Sequence, residues 1–192
     1  MLRIAISPVE LSDERREATA VSILLEEGWS RVHLRHPGAS LKEMQRLIEA
    51  IPQRFHGNLV LHGHFDLSNY FNLGGLHLNH RCPAAPPLYR GKLSKSCHSI
   101  EELHGCAGLD YATLSPIFDS ISKQGYRSNF SPSDLRGLDS VTVPVIALGG
   151  VTPSNIGSLK DFNFSGFAML GAIPWDGSRE ELTSFTGKIK NA

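Results

Sequence analysis

No charge of either sign is in excess in this 192-residue sequence, because Lys plus Arg and Asp plus Glu both number 19. A chain without net charge has no global field to gather nucleic acid or an anionic membrane, so an anionic ligand must be held by local groups. Cysteine is scarce: Cys82, Cys97 and Cys106 are odd in number and show no CxxC spacing, which argues against a disulfide framework and suits a reducing cytoplasm. The opening residues MLRIAISPVE lack the apolar run of about 7–15 residues that a signal peptide needs, so they read as a first strand. Internal repeats and low-complexity segments are missing as well.

What is present is globular. Hydrophobic residues make up 41%, charged residues 20%, with 18 Gly and 11 Pro, values that exclude a disordered tail, a collagen-like chain and a coiled coil. At roughly 100–200 residues per domain, residues 1–192 form one domain.

Short β-rich apolar runs alternate with stretches of helical period, the sequence form of βα units on a parallel sheet. Strands are expected at Leu2 to Ser7, Arg31 to Arg35, Asn58 to His62, Gly75 to Leu78, Leu93 to Cys97, Tyr111 to Ser115, Val143 to Leu148 and Phe167 to Ala172. Helices are expected at Asp13 to Glu27, Leu41 to Arg54, Leu67 to Phe71, Ile100 to Cys106, Pro132 to Leu138, Pro153 to Phe162 and Arg179 to Lys190. The crossover from Asn79 to Gly91 contains CPAAPP and forbids a regular helix. Ser12, Ser40 with Glu43, Ser99 and Ser131 before Pro132 read as helix starts, and Gly28 and Gly57 as helix ends. Eight such units predict a small α/β fold, a single-domain (β/α)8 TIM barrel. The rival, an open doubly wound sheet, predicts a Gly-rich turn after the first strand, where the sequence reads SPVELSDE.

A barrel assembles its chemistry at the C-terminal ends of its strands. Strand period two puts His33 with Arg35, His62 with His64, and Ser96 with His98 on shared faces. The loop after the sixth strand holds Ser120, Ser122, Lys123 and Arg127 and is long enough to act as a binding lid. Gly149-Gly150 and Leu170-Gly171 end the last two strands, where main-chain N–H groups often hold a phosphate and where no acidic side chain is expected to repel it. His56 and His104 read as solvated helix ends, His77 as a packed or hydrogen-bonded barrel residue, Cys82 and Cys97 as small hydrophobes, and Trp29 and Trp175 as packing residues.

The segments VHLRH, LVLHGHFDL, GLHL, KSCHSIEEL, DYATLSPIFDSISK, VPVIALGGVTPSNI and GFAMLGAIP, in this order from Val32 to Pro174, resemble the thiamine phosphate synthase family and its TenI-like thiazole tautomerase relatives. The resemblance implies a barrel of thiamine biosynthesis. Synthase members join a pyrimidine diphosphate to a thiazole phosphate, releasing pyrophosphate with Mg²⁺, whereas tautomerase members bind the thiazole phosphate alone and aromatise it. Carried over by motif, the family's anion-binding arginine is Arg35, while its glutamine falls on His33 and its lysine on Pro37. The diphosphate-contacting asparagine falls on His62, and the two magnesium aspartates fall on Gly63 and Cys82. The diphosphate serine is kept at Ser96, the thiazole-phosphate loop reads Ser120 to Lys123, and the phosphate glycines match Gly150 and Gly171.

Loss of both hard oxygen ligands favours the tautomerase reading, with no certain cofactor; Mg²⁺ is expected only for the synthase. A tautomerase needs a group titrating near neutrality, which makes His62 and His98 the catalytic candidates, since the histidine of a tautomerase subgroup falls on Pro116. Substrate-binding candidates are His33, Arg35, Ser96, Ser120, Ser122, Lys123, Gly150, Leu170 and Gly171, and no metal ligand is assigned. The alternatives are the synthase, a non-catalytic thiazole or thiamine phosphate binder, and a barrel hydrolase with a metal on the HGH histidines, His33 and His98, for which Asp176 comes several residues late. The expected partner is a small phosphorylated thiazole, with pyrimidine diphosphate as second substrate of a synthase. Nucleic acid and membranes are not expected, and a homo-oligomer is allowed.

Overall fold

The structure, a computed structural model, describes residues 1–119 and 128–190. Eight parallel strands pair in sequence order: β1 (Leu2–Ile6), β2 (Arg31–Leu34), β3 (Leu59–Leu61), β4 (Gly75–Leu78), β5 (Leu93–Cys97), β6 (Tyr111–Leu114), β7 (Val145–Ala147) and β8 (Gly166–Met169). The register Leu2 to Gly166 and Ala5 to Met169 joins β1 to β8 and closes the barrel, which excludes the open sheet.

Alternation along each strand divides the apolar residues into two layers. Val32, Leu34, Leu59, Leu61, Leu76, Ala112, Leu114, Ala147, Phe167 and Met169 face outward into a continuous core under the helices. Ile4, Ile6, Ile146 and Ala168 face inward and pack with Tyr111. The barrel interior is therefore split. Its β7, β8 and β1 side is aliphatic, whereas β2, β4, β5 and β6 supply His33, His77, Ser94, Ser96, Tyr111 and Thr113.

Among the described residues five α-helices cover the outside: α1 (Glu14–Glu26), α2 (Leu41–Ala50), α3 (Ile100–His104), α4 (Pro132–Leu135) and α5 (Arg179–Lys190). The expected helices at Leu67 to Phe71 and Pro153 to Phe162 form only 3₁₀ turns, Phe65–Asn69 and Ile156–Asp161. Pro153, Asn155 and Gly157 are poor helix formers, which accounts for the second of these. Helix α2 stops at Ala50 because Ile51 precedes Pro52 and adopts φ −83° and ψ 130°, the extended conformation that proline imposes on its neighbour. Gly57 consequently lies inside a 3₁₀ turn, whereas Gly28 follows α1 with φ 94° as a C-terminal glycine does.

The caps at Ser40, Ser99 and Ser131 form as expected, the first with a reciprocal Glu43 capping box. The cap of α1 is Asp13 rather than Ser12, its carboxylate accepting the Arg15 and Arg16 N–H groups. His56 is buried rather than solvated, because its Nε2 lies 3.0 Å from the Ile48 carbonyl and 2.9 Å from that of Ile51, where it satisfies the open end of α2. Among the described residues no helix is long and apolar enough to cross a membrane.

Candidate functional site

Polar residues lining a barrel are tolerable only if each finds a partner, and here most of them do. His33 Nδ1 stands 2.8 Å from His62 Nε2, and His33 Nε2 stands 2.6 Å from the Tyr111 hydroxyl. His77 bridges two hydroxyls, with Nδ1 2.8 Å from Ser94 Oγ and Nε2 2.8 Å from Ser96 Oγ. The His62 and His77 rings stack with centroids 4.3 Å apart, and His33 lies 5.0 Å from each. His33 and His77 form a buried floor, while His62 and Ser96 above them remain partly exposed to the mouth.

Burial sets the charge of this cluster. Desolvation, reinforced by neighbouring positive groups, holds His33 and His62 well below the ordinary imidazole range. Desolvation alone takes His77 down to about 3, and burial raises the Tyr111 phenol to about 12. Near neutral pH the cluster is three neutral imidazoles and a protonated phenol.

The mouth above the floor is cationic. Arg35 is half-buried, and burial followed by the like charge of Arg81 lowers its pKa. Among the described residues no carboxylate pairs with either arginine. The Arg35 main chain is fixed from below: its N–H donates to Ser7 Oγ at 2.8 Å, and Ser7 Oγ is 3.1 Å from His36 Nε2. That nitrogen lies 2.7 Å from the buried Glu17 carboxylate of α1. A strand-end arginine is thus tied to the helix layer while its guanidinium stays free for an anion.

The expected site residues divide into groups. His33, His62 and Ser96 are brought together through His77. Arg35 lies at the same mouth. His98 is apart and exposed, its Nδ1 3.1 Å from the Ser115 carbonyl, so the two catalytic candidates do not share a constellation. His64 is turned away as a left-handed residue with φ 51°, its Nε2 2.8 Å from the Ala39 carbonyl. Of the four imidazoles of the hydrolase reading, His33 and His62 are therefore brought together, while His64 and His98 are not among them. Ser120, Ser122, Lys123 and Arg127 lie outside the described residues.

Gly149 and Gly150 have φ 90° and 65°, and a Cβ on Gly150 would collide with the Asp119 carbonyl oxygen and stand 2.7 Å from the Phe118 carbonyl carbon. The turn and the close passage of the chain after β6 by themselves require glycine there. Leu170 and Gly171 line a cavity of about 520 Å³ shared with Pro8, Trp175, Asp176 and Glu181. The expectation that no acidic side chain stands near this strand end fails, because Asp176 of the β8–α5 loop and Glu181 of the first turn of α5 both line the cavity.

The residues that sequence reading passed over are Arg81, which the proline-rich crossover returns beside Arg35, and Tyr111 with Ser94, which anchor the histidines from below. The inward register of β5 and β6 was available as a signal for the last two. Trp29 and Trp175 are packing residues as expected, and Cys97 is buried. Cys82, Cys97 and Cys106 are free thiols, with Cys97 and Cys106 Sγ 3.4 Å apart and burial raising Cys97 to about 12.

The positions that the resemblance equates with magnesium aspartates are unsuited to that ion. Gly63 offers only open space where a Cβ would stand, and Cys82 offers a partly buried thiol. Among the described residues, the one group of three potential ligands is His33, His62 and His77, all nitrogen donors, whereas Mg²⁺ selects oxygen. The donor set does not fit Mg²⁺.

The sequence model described as "Thiamine monophosphate synthase" matches residues 4–173. Thiamine-phosphate synthase of Salinibacter ruber is 24% identical over 192 residues, covering 93% of this chain and 84% of its own. That of Chlorobium luteolum is 30% identical over 175 residues, covering 85% and 82%. The crystal structure of thiamine phosphate pyrophosphorylase from Bacteroides thetaiotaomicron superposes with TM-score 0.85 at 32% identity, covering 100% of this chain and 96% of that one.

Proposed function

The chain belongs to the thiamine monophosphate synthase family, a family of thiamine-biosynthesis enzymes, and from that premise we propose that it joins a pyrimidine diphosphate to a thiazole phosphate at the barrel mouth. The observation that carries this reading is Arg35, a half-buried guanidinium with Arg81 as its charged neighbour and its main chain held by Ser7, at the mouth where Ser96 meets His77. In such a reaction the bond from the pyrimidine's methylene carbon to the diphosphate oxygen breaks, and the oxygen keeps the electron pair. The thiazole nitrogen supplies the pair for the new carbon–nitrogen bond.

What the barrel must stabilise is the departing negative charge, and two guanidinium groups with a serine hydroxyl suit that task. The Arg35 fork can hold two diphosphate oxygens at once, and Ser96 Oγ–H can donate to a third. Neutral imidazoles beneath leave this cationic field unopposed. We assign the thiazole phosphate to the adjoining ends of β7 and β8, at the main chain of Gly150 and of Leu170-Gly171, with Ser120, Ser122 and Lys123 as the further phosphate contacts that the family resemblance implies. A reducing cytoplasm suits the three free thiols.

The tautomerase reading, which the missing magnesium ligands favour on sequence, now stands second: the relatives carry the synthase name, and His98 is not placed with His62. What still favours it is His62 itself, a neutral, partly exposed imidazole at the mouth, linked through His33 to the Tyr111 hydroxyl. Incubation with both precursors separates the two. The expected products are thiamine phosphate and inorganic diphosphate in equal amounts. Aromatisation of a thiazole carboxylate phosphate with no condensation product would overturn the first reading in favour of the second.

A further inference from the structure

We propose that His33, His62 and His77 form a binding site for one divalent transition-metal ion of the Zn²⁺ class. One nitrogen from each ring lies within 4.8 Å of the others, and two of them, His33 Nδ1 and His62 Nε2, are already 2.8 Å apart. Zn–N bonds of about 2.0–2.1 Å put tetrahedral ligand nitrogens ~3.3 Å apart, so His33 and His62 separate slightly and His77 closes in.

The remaining ring nitrogens make the stronger argument. A metal-binding histidine almost always donates its other N–H to an oxygen, which fixes the tautomer and aims the lone pair. With His33 Nε2–H on the Tyr111 hydroxyl and His77 Nδ1–H on Ser94 Oγ, the nitrogens left to take a metal are His33 Nδ1, which now meets His62 Nε2, and His77 Nε2, which would exchange the Ser96 hydroxyl for the ion. His62 joins them by placing its proton on Nδ1, and no net proton is lost.

The fourth position is open toward the mouth. Ser96 Oγ stands beside His77 Nε2, and its register neighbour Thr113 has a buried hydroxyl without a partner, a group that a metal-bound water in this layer would satisfy. Three imidazoles select Zn²⁺, Co²⁺, Ni²⁺ or Cu²⁺ and discriminate against Mg²⁺ and Ca²⁺. This inference concerns binding alone and stands whether or not the condensation reading does.

The experiment is titration of the full, chelator-treated chain with Co²⁺, followed by its visible absorption, and then competition with Zn²⁺ and metal analysis after dialysis. One equivalent of Co²⁺ with the intense spectrum of a four-coordinate ion is expected, displaced by Zn²⁺ and unaffected by excess Mg²⁺. Tyr111→Phe, which keeps the packed ring and removes only the outer partner of His33, should weaken binding by about 10–100-fold. His62→Gln should weaken it at least as much, with folding checked by circular dichroism, and His104→Asn on the exposed face of α3 should change nothing. Absence of one-to-one binding overturns the proposal. So does binding whose affinity is equal in the wild type, Tyr111→Phe and His62→Gln, or binding lost with His104.

Discussion

Taking the metal-free protein from pH 7 to pH 5 should lower its stability by about 2 kcal/mol through His77 alone, with His33 and His62 adding in the same direction. His33, His62 and His77 have folded-state pKa values depressed by burial, with His77 down to about 3. In the unfolded chain each titrates near the ordinary imidazole value of about 6.5. The unfolded state thus binds protons at pH 5 that the folded barrel refuses. Stability is fully present above pH ~6.5 and is lost as pH falls toward the folded-state values. Since a domain of this kind has only about 5–15 kcal/mol in hand, acid unfolding is expected well above the carboxylate range. Urea unfolding at pH 7, 6 and 5 measures it directly. Equal stability at the three pH values would mean that the barrel accepts protons on this floor, and the neutral cluster would be wrong.

Arg35→Ala should lower kcat/KM for condensation by about 10²–10³, the scale of removing one preorganised charge-stabilising donor. The side chain has no carboxylate partner among the described residues, so its loss leaves no other charge stranded and should change stability by no more than about 0.5 kcal/mol. Arg35→Lys should restore only part of the rate, because an ammonium cannot reproduce the two parallel bonds of a guanidinium. A steady-state comparison of the three proteins with matched melting temperatures checks this. A rate within a few-fold of wild type in Arg35→Ala would remove the residue from the anion site.

Much of the barrel is legible in the sequence because it rests on local patterns: period-two apolar runs, Ser caps and the count of eight units. The element ends are less legible. Proline at 52 ends α2 early by acting on the preceding residue, and Pro153, Asn155 and Gly157 leave a 3₁₀ turn where periodicity alone suggests a helix. The same alternation rule that placed His33, Arg35, His62 and Ser96 at the mouth, in or just beyond β2, β3 and β5, works because strand period is covalent geometry.

Pairing across the barrel is different, since register between β2 and β6 is set by closure and not by any local signal. The Tyr111 contact to His33 was therefore out of reach, whereas Ser94 and Ser96 meet His77 from the neighbouring strand, where inward alternation of β4 and β5 offered a signal. His64 and His98 show the limit of alternation: His64 takes a left-handed conformation beyond β3, and His98, although as close to its strand end as Arg35 and His62, is exposed with Nδ1 on the Ser115 carbonyl. His56 shows another, because a histidine near a helix end looks solvated until the fold carries it back onto the open carbonyls of α2.

The central claim is a barrel mouth that stabilises a departing diphosphate through Arg35, Arg81 and Ser96, in a donor set that does not accommodate Mg²⁺. Its most direct test is the initial rate of thiamine phosphate formation from both precursors, measured with Mg²⁺ supplied and with Mg²⁺ omitted. The account predicts product in both cases at rates within about twofold, since Gly63 and Cys82 present no carboxylate to hold the ion. Turnover that appears only with Mg²⁺, or no condensation under either condition, would contradict it.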